Sequence, residues 1–271
     1  MTPTLADLLA ACSLPRVQAR ALLAHACDRS REWLIAHADE RCPPGADGRF
    51  ASLVARATDG EPLAYLLGSR EFRGLSLSVD RSVLIPRPET EALVDWAVDR
   101  APQGATVLDL GTGSGAIAIA LALARPDLTM IAVDHSAPAL ALAASNARRL
   151  GARVRFGLGD WWSGLPDVGP LNIVLGNPPY IAADDPHLRH DGLPFEPRSA
   201  LVAGSDGMNA YRAIVAGLPR RRLAPGARLL FEHGYRQAAA VRALLRGAGL
   251  VDPFTLADDQ GHDRFSGARL V

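Results

Sequence analysis

The sequence predicts an α/β protein: a mostly parallel sheet with helices on both faces, preceded by a small helical bundle. Three observations carry this expectation. After Gly104, short runs rich in Val, Ile and Leu alternate with helix-length segments, the rhythm of right-handed strand–helix–strand crossovers. Before Leu67, apolar residues recur instead at spacings of three and four, as on one face of a helix. The C-terminal stretch "VDPFTLADDQGHDRFSGARLV" breaks around Gly261 into two strand-like pieces, expected to pair as an antiparallel hairpin.

The elements follow in order. "LADLLAAC", "RVQARALLAHAC" and "FASLVARA" read as short helices, separated by Pro15, by Pro43-Pro44-Gly45 and by Gly60. Thr4 with Asp7 resembles a capping pair, and Gly68 closes the last helix. "REFRGLSLSVD", Arg70 to Asp80, alternates apolar and polar around Gly74, the pattern of a connecting hairpin. In "IPRPETEALVDWAV" the prolines flank an extended turn, and Thr90 with the acidic Glu91 stands where a helix begins. The expected domains are therefore 1–70 helical, 71–90 a hairpin connector and 91–271 α/β. Within the last, "TVLDLG", "TMIAVD", "RVRFGLGD", "LNIVLGN" and "ARLLFEHG" are strands; "GAIAIALALA", "APALALAASNARRL" and "RQAAAVRALLRGAG" are helices.

Composition bounds the function. The 271 residues, 48% hydrophobic, suffice for one large domain or a large and a small one with a substantial core. Acidic and basic side chains balance at 29 each, and every basic one is Arg. A neutral total gives no general attraction to nucleic acid or to an anionic membrane. Cys12, Cys27 and Cys42 match no zinc or redox spacing, so they read as reduced small hydrophobes of a cytosolic protein. The start lacks a basic region followed by a long apolar one, and no run reaches the roughly 18 apolar residues of a membrane span. A soluble cytoplasmic protein is expected.

Two motifs carry chemistry. "DLGTGSGA", Asp109 to Ala116, links the first strand of the sheet to a helix. Its alternate glycines let the backbone turn tightly and approach a ligand beside the amides of the helix N-terminus, at the carboxyl end of the sheet where nucleotide-like cofactors bind. Gly111, Gly113 and Ala116 also satisfy the dinucleotide pattern in its Ala form. Asp109 would repel a pyrophosphate but suits the cationic methionine end of S-adenosylmethionine. Asp134, ending "IAVD", is placed to accept from a ribose diol in either cofactor class. In "GDWWSGLP", Asp160 is suited to accept from an adenine amino group and Trp161 to cover the ring; alternatively both tryptophans plug the sheet edge.

The second motif is "NPPY", Asn177 to Tyr180, which ends an apolar strand in an amide and two residues without a backbone donor. An amide nitrogen is a poor nucleophile because its lone pair is delocalised. The Asn177 side-chain oxygen and the Pro178 carbonyl would accept both of its N–H bonds and aim the nitrogen at a methyl donor. Proline stiffens that pair of acceptors, and Tyr180 would pack on the acceptor's planar group. The bland alternative is a proline-rich turn capping a strand.

With "DLGTGSGAIA", the corner Asn177–Tyr180 resembles the class I S-adenosylmethionine-dependent amino-methyltransferases, a Rossmann-like fold that serves both DNA adenine and protein glutamine enzymes. Glu61–Glu91, "FEPRSALVAGSDGM" and "FEHGYRQAAAVRALL" look like the bacterial peptide chain release factor N5-glutamine methyltransferases, the PrmC/HemK family. The resemblance implies methylation of the glutamine in the Gly-Gly-Gln loop of release factors, with S-adenosyl-L-homocysteine as product. It implies cofactor contacts from Gly111, Thr112, Gly113, Ser114, Gly115, Asp134, Trp161 and Asn177, with Asp109 added by the charge argument. It implies glutamine binding by Asn177, Pro178, Pro179 and Tyr180, and a helical N-terminal domain that helps grip the release factor. Arg73 departs from the pattern, standing where an aromatic residue is expected.

Other residues keep two readings. Arg87 lines the substrate entrance or is a structural ion-pair partner at a domain seam. Glu196 shapes the loop over the site or is merely solvated. Arg220–Arg222 touches RNA or is a solvated helix C-terminus. His187 and His190 lack a metal-binding context, and no metal is expected. The readings in play are a glutamine methyltransferase acting as a monomer without specific DNA binding, a DNA adenine methyltransferase, which would need a basic target-recognition segment, and a non-catalytic scaffold.

Overall fold

The computed structural model describes residues 3–271, so Met1 and Thr2, which open both the helical-domain reading and the leader reading, lie outside the described residues. The chain divides into two compact units: the described residues up to Ser69 with Arg189–Phe195, and Arg70–Leu188 with Glu196–Val271.

The first unit holds α1 (Leu5–Ala11), α2 (Arg16–Cys27), α3 (Arg31–Ala36), α4 (Ala46–Thr58) and α5 (Leu63–Leu67). Thr4 starts α1 with a reciprocal cap: the Asp7 amide donates to Thr4 Oγ1 at 3.1 Å and the Thr4 amide to Asp7 Oδ2 at 3.0 Å. Gly68 ends α5 in the left-handed region at φ +68°. Leu5, Leu22, Leu23, Phe50 and Leu66 fill a common core. Cys27 and Cys42 belong to that core as free thiols, and burial pushes Cys27 up to about 11. Helix α3 escaped the sequence reading; its signal was Ser30, whose Oγ accepts from the Trp33 amide at 3.2 Å.

A hairpin follows, β1 (Ser69–Phe72) and β2 (Leu75–Ser78), which from Arg70 onward belongs to the second unit. Both turn residues, Arg73 at φ 49° and Gly74 at φ 73°, are left-handed, as a two-residue turn between twisted strands requires. The unit continues through α6 (Glu91–Arg100), β3 (Thr106–Leu110), α7 (Ala116–Ala124), β4 (Thr129–Asp134), α8 (Ala137–Leu150), β5 (Val154–Leu158) and β6 (Leu171–Gly176). It ends with α9 (Arg198–Leu201), α10 (Asn209–Ala216), β7 (Leu223–Glu232), α11 (Ala238–Gly247), β8 (Val251–Ala257) and β9 (Asp263–Arg269). Arg73 ties the hairpin to α6: its amide donates to Glu91 Oε1 at 2.9 Å and its guanidinium pairs with Asp95. At the position where an aromatic residue was expected, Arg73 thus makes ionic and backbone contacts to α6.

The seven strands run in the order β5-β4-β3-β6-β7-β9-β8. The first five are parallel, and β9 is antiparallel to both β7 and β8. Alternate residues of each central strand serve opposite faces. Val107, Met130, Ile173 and Leu230 join one apolar cluster with α6 and α7, while Leu108, Ile131, Val174 and Leu229 join another with α10 and α11. The order reverses at β3: β4 lies on one side of it and β6 on the other. That switch point opens a crevice beyond the carboxyl ends of the strands.

Two expectations need correction. Strand β7 begins at Leu223 rather than Ala227; Pro225 and Gly226 hid its start, and the sheet absorbs them as an irregularity between the Leu171 and Ile173 registers. Arg220–Arg222 is no helix C-terminus. It is a single 3-10 turn beyond Pro219, and Arg222 donates to the Pro166 carbonyl at 2.7 Å. Among the described residues no helix is long and apolar enough to cross a membrane.

Candidate active site

A cavity of about 560 Å³ opens at the switch point, within the second unit. Register brings its parts together. Leu110 pairs with Val133 on one side and Gly176 on the other, so the residues that follow them, Gly111, Asp134 and Asn177, stand at three adjacent strand tips. All three line the cavity.

The loop after β3 is made by its own backbone. The amides of Gly111 and Thr112 both donate to the Val133 carbonyl, at 2.8 and 3.1 Å. Asp134 fixes the next turn: its Oδ2 accepts from the Gly113 amide and its Oδ1 from the Ser136 amide, each at 2.9 Å. Thr112, Gly113 and Ser114 line the cavity, and a Cβ on Gly113 would meet no atom within 4 Å. The loop is therefore open to a ligand at that residue. Gly115 works differently. It lies at φ +85°, where a Cβ would come within 2.8 Å of Ile119 Cδ1 and 3.2 Å of Ala143 Cβ. It allows close packing of α7 on α8 and does not line the cavity.

Asp109 is a second correction to the expected ligand contacts. It is fully buried beneath the loop and absent from the cavity wall. Its Oδ2 accepts from Thr112 Oγ1 at 2.6 Å, while Oδ1 has no partner. Burial pushes the carboxyl up to about 7. The reason is position: a residue still inside β3 faces the core, and the cavity begins only beyond the strand end. Asn146 on α8, which the sequence reading missed, secures the same loop. Its Nδ2 donates to the Ser114 and Ser78 carbonyls, each at 3.0 Å, and its Oδ1 accepts from the Ser78 amide at 2.8 Å.

At the corner after β6, side chains alternate. Asn177 and Pro179 line the cavity; Pro178 is buried behind it and Tyr180 does not reach it. The expected stacking of Tyr180 on the acceptor is therefore not what the ring does here: it packs against the apolar cluster of Phe231 and Tyr211. Gln237 holds the corner from outside, donating to the Tyr180 carbonyl at 3.0 Å and accepting from the Gly234 amide at 2.9 Å. Asn177 Nδ2 donates to Thr90 Oγ1 at 3.1 Å. That hydroxyl in turn donates to Glu232 Oε2 at 2.6 Å. Thr90 makes no cap with its side chain, so the hydroxyl that the sequence offers as a helix cap serves the site instead. Burial raises Glu232 to about 7 against the favourable Thr90 bond.

Arg87 is both a cavity residue and an ion-pair partner, the pair lying within the second unit. It lines the cavity and pairs with Glu196, which is buried and also accepts from the Ile85 amide at 2.9 Å. Glu196 thus shapes the wall, joining the 85–87 strap to the segment that carries Pro197 and Ala200. Trp161, left-handed at φ 48°, lines the cavity with Asp160. Trp162 instead plugs the sheet, its Nε1 donating to the Ile214 carbonyl at 2.8 Å. His187 and His190 are exposed, and among the described residues no cluster of three or more His, Cys, Asp or Glu could hold a metal.

An open glycine loop and an amide corner at the switch point of this sheet define a class I methyltransferase. Residues 4–68 match the family described as PrmC N-terminal domain, and residues 89–190 that described as Methyltransferase small domain. The chain is 48% identical over 270 residues to the release factor glutamine methyltransferase of Bordetella pertussis, covering 98% of this chain and 99% of that one. It is 48% identical over 275 residues to the same enzyme of Burkholderia pseudomallei, covering 98% and 96%. The hMettl16 catalytic domain solved with MAT2A 3′UTR hairpin 6 shares the fold, at TM-score 0.58 and 17% identity over 77% of this chain and 80% of that one. The chain belongs to the release factor glutamine methyltransferase family.

Proposed function

We propose that this enzyme methylates the side-chain amide nitrogen of the glutamine in the Gly-Gly-Gln loop of peptide chain release factors, with S-adenosyl-L-methionine as donor. The observation that carries the reading is the orientation of Asn177: its NH₂ is committed to Thr90, which leaves the carbonyl oxygen for the cavity shared with Gly113. An acceptor there fits an incoming NH₂ group.

The residues present suit the cofactor. The cavity volume is that of a small-molecule site, Gly113 leaves the loop open, and Asp134 retains lone pairs beyond the two amides it binds. Asp134 would hold the ribose hydroxyls, Asp160 and Trp161 the adenine, and Gly111 to Ser114 the amino-acid end. When bound, the cofactor supplies an electrophilic methyl carbon, whose bond to sulfur breaks as the bond to nitrogen forms, leaving S-adenosyl-L-homocysteine. Asn177 Oδ1 would accept one N–H bond of the glutamine amide. The backbone carbonyl of Pro178, whose ring is buried but which is joined to the cavity-lining Pro179, would accept the other, turning the lone pair towards the glycine loop. The nitrogen turns acidic as it acquires a fourth bond, so water suffices to take its proton. Pro179 and Arg87 border the entrance. The helical unit is assigned to gripping the release factor, and the enzyme is proposed to act as a cytoplasmic monomer.

Incubation with labelled cofactor and either a release factor or adenine-containing DNA tests this reading. Label on the release factor alone is expected; label on DNA alone would transfer the corner's chemistry to a nucleobase, and label on neither would leave a cofactor-fold scaffold.

A further inference from the structure

We infer that Thr90 and Glu232 are positioning residues: a one-way hydrogen-bond chain from Asn177 through the Thr90 hydroxyl to the Glu232 carboxylate decides which end of the Asn177 amide faces the acceptor nitrogen. The inference deepens the proposed role of Asn177 and rests on it.

The two ends of a carboxamide have almost the same shape, so packing alone does not choose between them. Polarity does. The Thr90 hydroxyl owns one proton, and that proton goes to Glu232 at 2.6 Å; the direction is fixed while Glu232 is ionised, above its titration near 7, because a carboxylate can only accept. The oxygen then has only lone pairs left for Asn177, and it receives Nδ2–H at 3.1 Å. A flipped Asn177 would set oxygen against oxygen. The chain is closed to water at its far end, where Glu232 is 1% exposed and, unlike Thr90, does not line the cavity, so solvent does not compete for the carboxylate.

Sequence distance makes the arrangement specific. Glu232 is the last residue of β7 and Asn177 follows the last of β6; Gly176 pairs with Phe231, which sets the two side by side. Thr90 arrives from the turn before α6. A residue needed only to fill space at these three points would be apolar, since a buried carboxylate without a strong partner is costly. Without Glu232, the hydroxyl is free to turn its proton towards Asn177 and to stabilise the amide with NH₂ facing the cavity. That face repels the N–H bonds it should receive.

The test measures turnover on intact release factor and cofactor dissociation constants by calorimetry for Thr90→Val, Thr90→Ser, Glu232→Met, Glu232→Gln and Thr90→Val/Glu232→Met. Thr90→Val and Glu232→Met are expected to lower kcat about tenfold or more, with cofactor affinity within about twofold of the parent. Thr90→Ser, which keeps the hydroxyl, and Glu232→Gln, whose carbonyl still accepts, are expected to recover most of that loss. The double variant is expected to be no worse than the poorer single one, because both break one chain. Full kcat in Thr90→Val, losses that add, or a Thr90→Ser as slow as Thr90→Val would overturn the inference. Should Glu232→Met not fold, the Thr90 pair decides alone. Asn177→Ala is the internal control: if it too keeps full turnover, the acceptor role of Asn177 fails, and if only the Thr90 and Glu232 variants stay active, the relay alone fails.

Discussion

The glycine loop and the asparagine corner face one cavity but are built by different means. The loop is local: Gly111, Thr112 and Gly113 bond to Val133 and Asp134 on the neighbouring strand tip, and left-handed backbone at Gly111 and Gly115 sets its path. The corner is assembled over distance. Asn177 depends on Thr90, 87 positions earlier, and through it on Glu232, 142 positions from Thr90; Tyr180 depends on Gln237. A cofactor loop of this kind can be recognised from eight consecutive residues, whereas an acceptor site needs the folded chain to fix its polarity.

Breaking the corner should cost the most. Asn177→Ala is expected to slow turnover roughly a hundredfold or more while changing cofactor affinity only moderately; steady-state kinetics against calorimetry separates the two, and a loss below about fivefold would remove the acceptor role. Breaking the loop should show the opposite split. Asp134→Ala is expected to weaken cofactor binding by roughly 1.5 to 3 kcal/mol, since hydrogen bonds to a charged group are lost, with a smaller change in turnover at saturating cofactor. An unchanged dissociation constant would take Asp134 out of the site.

How much of this was legible follows the same divide. The strands from Thr106 to Gly176, the glycine loop and the NPPY corner stand in the sequence as short contiguous patterns with the required order, and the terminal hairpin showed itself through Gly261. The sequence hid what depends on direction or on distant partners. Asp109 reads as a ligand contact because it is two residues from Gly111, yet the strand turns its side chain into the core. Tyr180 reads as a stacking platform, but alternation along the corner faces it away from the cavity. Thr90 reads as a helix cap, and only the fold shows its hydroxyl shared by Asn177 and Glu232. Asn146 carries no motif at all; its role exists only because α8 lays it between the hairpin and the loop.

Two smaller effects sharpen the comparison by probing what lies under the loop. Burial raises the Asp109 carboxyl from its usual range to about 7, so the folded protein holds that proton more tightly than the unfolded chain. The stability it confers is complete below about pH 4 and is lost as pH rises through 7. Chemical denaturation is expected to show Asp109→Asn flattening that decline by about 2 kcal/mol between pH 5 and 8; an identical pH dependence in both proteins would mean that the carboxyl is solvated. Gly115→Ala is expected to destabilise by about 1 kcal/mol, combining left-handed backbone with the Ile119 contact, and to raise the cofactor dissociation constant less than Asp134→Ala. Full stability would show that the loop relaxes freely.

The central claim is that a fixed oxygen at the tip of β6 presents a glutamine amide nitrogen to a methyl donor seated over the glycines. Tandem mass spectrometry of a release factor after reaction with this enzyme tests it most directly. The account predicts one added methyl on the side-chain nitrogen of the Gly-Gly-Gln glutamine, absent when Asn177→Ala replaces the parent enzyme over the same interval. A methyl on any other atom, or an equal yield from Asn177→Ala, would contradict it.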